Sequence, residues 1–203
     1  MLTGAAVDCE RILDGLVGQP VNTITSFGFI VAGLIAYRRR AQAPTASLIA
    51  AVGFGSIVFH GPMPPWGEFV HDLTIGWMLV WVILTEMKWV RWWWLTFLAM
   101  SLLMLVPTVA DPVQAMLSGA ALILILRGRK DFVALGLLAV GAIVGTLSRT
   151  GWPWCRPDSI WQGHGLWHLA SAAALVLWAL PPRQPSARGF GGSVSEPGPR
   201  RSE

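Results

Sequence analysis

Seven apolar runs, at residues 21–37, 45–60, 69–87, 92–107, 113–126, 132–148 and 163–180, leave this chain few folds to choose from. Their length and spacing predict seven membrane-crossing helices, although several fall short of the roughly 20 residues that a bilayer core takes up. The run at 113–126 is the weakest. Charged joints at 38–42, 88–91 and 127–131 alternate with turn-rich joints at 61–68, 108–112 and 149–162, where Pro and Gly are expected to break helices. Composition agrees. Charged residues make up 13% and mean hydropathy is +0.55, whereas a soluble domain carries about 25% charge. That balance argues against a soluble enzyme, a nucleic-acid-binding domain and a disordered chain. The expected fold is an all-α polytopic membrane bundle over 21–180, after an N-terminal segment at 1–20. The Pro-, Gly-, Ser- and Arg-rich tail at 181–203 is expected to be disordered.

Charge distribution sets the expected orientation. With the Arg38–Arg40 joint in the cytoplasm, 12 of the 15 Lys and Arg residues fall on that side. The other side holds Arg11, Arg149 and Arg156 together with 7 of the 11 acids. By the positive-inside rule the N-terminus lies outside and the C-terminus inside. Met1–Gly18 has neither a basic nor an apolar region of the kind a cleaved signal peptide needs. Trp66, Trp89, Trp92–Trp94, Trp152, Trp154 and Trp161 stand at run ends, as an interfacial belt would place them.

Ionisable side chains inside membrane runs are expensive and therefore mark candidate sites. All four histidines, His60, His71, His164 and His168, fall at the outer ends of their runs. His164 and His168 are four residues apart, which stacks both imidazoles on one helical face. Ser56 precedes His60 at the same spacing, and Asp72 opens the third run. Three imidazoles without a thiolate cluster favour Zn²⁺ with an open fourth position for water. Asp72 would exchange the proton and Ser56 would donate to a developing oxyanion. Each member also has a plainer reading: His71 as an interhelical hydrogen bonder, Ser56 as packing between helices, Asp72 as a helix N-cap. A pair of haem-ligating histidines normally comes from facing helices, so spacing within one helix suits a small ion better. Cys9 and Cys155 both lie on the outer side, either bridged or as two free thiols.

Together these residues resemble the alkaline ceramidase family, seven-span membrane hydrolases related to adiponectin-receptor-like and hemolysin-III-like proteins. The resemblance rests on Cys9-Glu10 with Asn22-Thr23, on Ser56 through His60, on Asp72, and on Cys155 followed by His164 through His168. It implies zinc held by His60, His164 and His168, with Asp72 and Ser56 attending the zinc water. It also implies a Cys9–Cys155 bridge and a membrane lipid as substrate, ceramide or a related amide. The family additionally binds Ca²⁺ near its Cys-Glu motif. Here Glu10 remains, but Gln19 stands where the family has an acid and Arg11 adds positive charge. A receptor-like or pore-forming protein with a mainly structural zinc is the alternative.

Overall fold

The computed structural model describes residues 4–128 and 131–180, so the tail expected to be disordered lies outside the described residues. Among the described residues seven α-helices follow in order: α1 Pro20–Arg38, α2 Ala43–His60, α3 Gly67–Glu86, α4 Trp93–Leu103, α5 Pro107–Gly128, α6 Phe132–Leu147 and α7 Gly163–Ala179. Among the described residues there is no strand. Helices α1, α2, α3 and the Thr108–Gly128 part of α5 are long and apolar enough to cross a membrane. Helices α4 and α6 are apolar but shorter. The protein is thus an all-helical, multi-pass membrane protein.

The joint expected at 108–112 is a correction. Its residues are helical, and α5 runs straight through Pro112. The turn lies earlier, at Met104–Val106. Proline removes one backbone donor, and membrane helices tolerate that when neighbouring groups re-satisfy the freed carbonyl. The weakest run in the sequence therefore belongs to the longest of the seven helices.

Helix α1 packs on α2 and α7, α2 on α3, α7 on α6, and α3 on α4 and α5. Phe29, Ala32 and Ala36 of α1, Ile49 and Val52 of α2, Met78 and Trp81 of α3, Ile125 of α5 and Trp178 of α7 share one buried core. Small residues allow these close approaches, as expected where lipid gives no hydrophobic drive for helix association. The outward faces stay apolar: Ile24, Phe27, Val31 and Leu34 of α1 are all exposed. The eight tryptophans at run ends are exposed too. By contrast, buried Trp81 donates its indole N–H to Thr45 Oγ1 across α2 and α3 at 2.8 Å. A buried indole needs such a partner.

Candidate metal centre

The last turn of α2 carries His60, and the first two turns of α7 carry His164 and His168. Two glycines let the helices meet closely enough to bring these rings together. A Cβ on Gly165 of α7 would stand 3.0 Å from Thr25 Oγ1 and 3.2 Å from Thr25 Cγ2 on α1. A Cβ on Gly53 of α2 would stand 3.0 Å from Ile30 Cδ1 and 3.0 Å from Phe29 Cβ on α1, the helix that also packs on α7. With both approaches made, ring centroids lie 5.0 Å apart for His60–His164, 5.2 Å for His60–His168 and 4.5 Å for His164–His168. One ligating nitrogen from each lies within 4.8 Å of the other two.

Hydrogen bonding decides which nitrogen faces inward. His60 Nδ1 lies 2.6 Å from Gln19 Oε1, and His164 Nδ1 lies 3.1 Å from Asp8 Oδ1. His168 Nδ1 lies 3.2 Å from Thr25 Oγ1 and 3.3 Å from Ser26 Oγ. Thr25 and Ser26 already donate their single hydroxyl protons to α1 carbonyls, Val21 and Asn22 for Thr25 and Asn22 for Ser26. Towards His168 they can therefore only accept, so Nδ1 carries the proton. Asp8, when ionised, has only acceptors and takes up the His164 Nδ1–H in the same way. Each ring is held by its Nδ1–H and left with a bare lone pair on Nε2. All three Nε2 atoms are buried and have no hydrogen-bond partner among the described residues.

Three orphaned acceptors buried together are costly, at roughly 1–3 kcal/mol each. A divalent cation satisfies all three at once, and fixing ligand imidazoles through the other ring nitrogen is the usual supporting arrangement of a metal site. The donor set therefore fits a metal ion with three nitrogen ligands.

Ser56 is buried one turn before His60. Asp72 lies inside α3, which begins at Gly67, so the N-cap reading is excluded. His71 Nδ1 lies 3.1 Å from Asp72 Oδ1, and the His71 ring stacks on Phe59 with centroids 4.7 Å apart. His71 is also edge-on to His60 at 5.9 Å, so the four imidazoles gather at one end of the bundle. His71 is not one of the three convergent ligands. Its hydrogen bond goes to its own neighbour in the chain rather than to another helix.

The N-terminal segment forms one wall of this centre. Cys9 and Cys155 are bridged with their Cα atoms 5.5 Å apart, which decides between bridge and free thiols. Thr150 Oγ1 donates to the Ala6 carbonyl at 2.7 Å, and Arg11 pairs with Asp158 on the surface at 2.6 Å. Asp8 is thereby carried to His164. Burial lifts the Asp8 carboxyl to about 7, opposed by nearby His71 and Arg149. Converting both cysteines to Ser is expected to lower the melting temperature by about 5–10 °C, from ~2–4 kcal/mol for a bridge closing a long loop. Differential scanning in detergent checks this, and an unchanged transition would contradict it.

Glu10 is buried rather than solvated. Its two carboxylate oxygens accept from the Val21 and Asn22 amides at 2.6 and 2.8 Å. Pro20 has no N–H, so these are the first free donors of α1, and an anion is favoured there. Burial raises the Glu10 carboxyl, while the two amide bonds oppose that shift. Asp8, Thr25 and Ser26 were not singled out from sequence, and Gln19 only as a departure from the resembled family. The available signal was the polar stripe Asn22, Thr25, Ser26 at helical spacing inside an apolar run, aimed where ligand imidazoles need a second partner. Family profiles, curated proteins and solved structures give no match to this chain.

Proposed function

We propose that this protein is a zinc-dependent integral-membrane lipid amidase, ceramidase-like, cleaving the amide of ceramide or a related membrane lipid into a long-chain base and a fatty acid. The observation that supports it most is the convergence of three buried, unpartnered Nε2 atoms, with Ser56 one turn before His60 and Asp72 paired with His71, whose ring stands 5.9 Å from that of His60. Zinc suits a set of three imidazoles with an open fourth position, where it would supply Lewis-acid polarisation and an acidified water. His60, His164 and His168 hold the ion. Asp8, Gln19, Thr25 and Ser26 fix the orientation of those rings. Asp72 accepts the proton of the attacking water and returns it to the leaving amine. Ser56 donates its O–H to the oxygen that gains charge. The apolar outer faces of the helices let a lipid substrate approach sideways through the bilayer, from the side assigned to the exterior by the positive-inside rule.

Release of fatty acid from labelled ceramide in mixed micelles tests this directly. Zinc-loaded protein is expected to turn over, to lose activity on stripping, and to regain it on adding zinc back. Zinc-loaded protein that hydrolyses neither ceramide nor another lipid amide would reject the amidase and favour the receptor-like alternative with a structural ion.

A further inference from the structure

The orientation of His60 is dictated from the N-terminal segment through one amide. Gln19 is fully buried, and its Nε2 donates to the Ala5 carbonyl at 2.8 Å and to the Glu10 carbonyl at 3.0 Å. Carbonyl oxygens only accept, so the NH₂ group must face them and Oε1 must face His60. A second donor, Asn22 Nδ2, reaches the same Oε1 at 3.3 Å. His60 Nδ1 is thus obliged to carry the proton, and Nε2 is left bare for the metal. Two backbone carbonyls determine the tautomer of a ligand on another helix.

Gln19 stands where the resembled family has an acid, and that family binds calcium near its Cys-Glu motif, here Cys9-Glu10. Calcium takes six to eight oxygen ligands with lone pairs free to receive it. Here the Ala5 and Glu10 carbonyls are taken by the Gln19 NH₂, both Glu10 carboxylate oxygens by α1 amides, and Asp8 by His164. The residues present do not fit that ion. We infer that the Gln19 amide does in this protein what a cation would otherwise do, clamping the N-terminal segment to α1 and holding His60, so that the fold and the metal centre are independent of calcium.

The inference makes a sharp demand of Gln19→Glu. A carboxylate at this position removes both N–H donors and turns an oxygen towards two carbonyls. Asn22 Oδ1 is close by, buried and without a partner among the described residues. Such an all-oxygen cluster calls for a cation. Purified full-length protein in detergent at mildly alkaline pH is titrated with calcium chloride, with magnesium chloride as control, and its melting temperature is followed. The wild type is expected to show no calcium-specific shift and no stoichiometric calcium by elemental analysis. Gln19→Glu is expected to melt lower and to recover by about 3–6 °C as calcium passes tenfold above the ~10⁻⁴–10⁻³ M affinity typical of extracytoplasmic sites. Gln19→Ala is expected to bind zinc 10–100-fold more weakly, the usual effect of losing a ligand's support. A calcium-specific rise in the wild type, stoichiometric calcium in it, or a Gln19→Glu protein indifferent to calcium would each overturn the inference. Because the readouts are stability and metal content, they remain decisive even if the amidase reading fails. If Gln19→Glu does not fold, the wild-type titration alone still decides.

Discussion

Replacing His168 with Ala is expected to strip the purified protein of stoichiometric zinc and to abolish turnover, while leaving the fold intact. Structural zinc in zinc-finger peptides is worth roughly 10–16 kcal/mol; on that scale one ligand of three accounts for about 3–5 kcal/mol, or ~10³-fold in affinity. The fold should survive because Thr25 and Ser26 keep their own helix carbonyls as partners when the imidazole is gone. The variant also loses a buried orphan acceptor, which offsets part of the cavity it creates. Melting temperatures of wild type and variant should therefore lie close together without zinc and separate when zinc is added. A variant that retains one zinc per chain would remove His168 from the ligand set.

Asp72→Asn is expected to behave differently. Asp72 lies outside the convergent trio, so zinc content and melting temperature should match the wild type. Turnover should fall by about 10²–10⁴, the usual range for loss of a positioned acid–base group. Asn keeps the shape and still accepts from His71, but it cannot take up a proton. Equal activity in the two proteins would move the acid–base role to another residue. Loss of zinc instead would show Asp72 to be part of the metal's support.

The sequence made the helices legible wherever a strong breaker or charge flanked an apolar run. The Arg38–Arg40 joint and the Pro62–Pro65 turn bracket α2 to within two residues of its expected limits. Around Thr108 the same reasoning failed, because Pro112 reads as a breaker but sits inside a helix. The histidine trio was legible for a physical reason: imidazoles four residues apart in an apolar run have few uses besides sharing a partner. The groups that hold the ligands were less so. Asp8 and Gln19 reach their histidines only because a disulfide and a set of turn hydrogen bonds fold the N-terminal segment over the bundle end, and no periodicity encodes that path. The burial of Glu10 was not legible, because its partners are backbone amides at the start of α1, exposed as donors only by the proline before them.

X-ray absorption at the zinc edge of the purified protein tests the central claim most directly. One zinc per chain is predicted, with three imidazole nitrogens at about 2.0–2.1 Å, a lighter fourth ligand and no sulfur. Protein that holds no stoichiometric zinc after purification in its presence, or zinc with sulfur scatterers at about 2.3 Å, would contradict it.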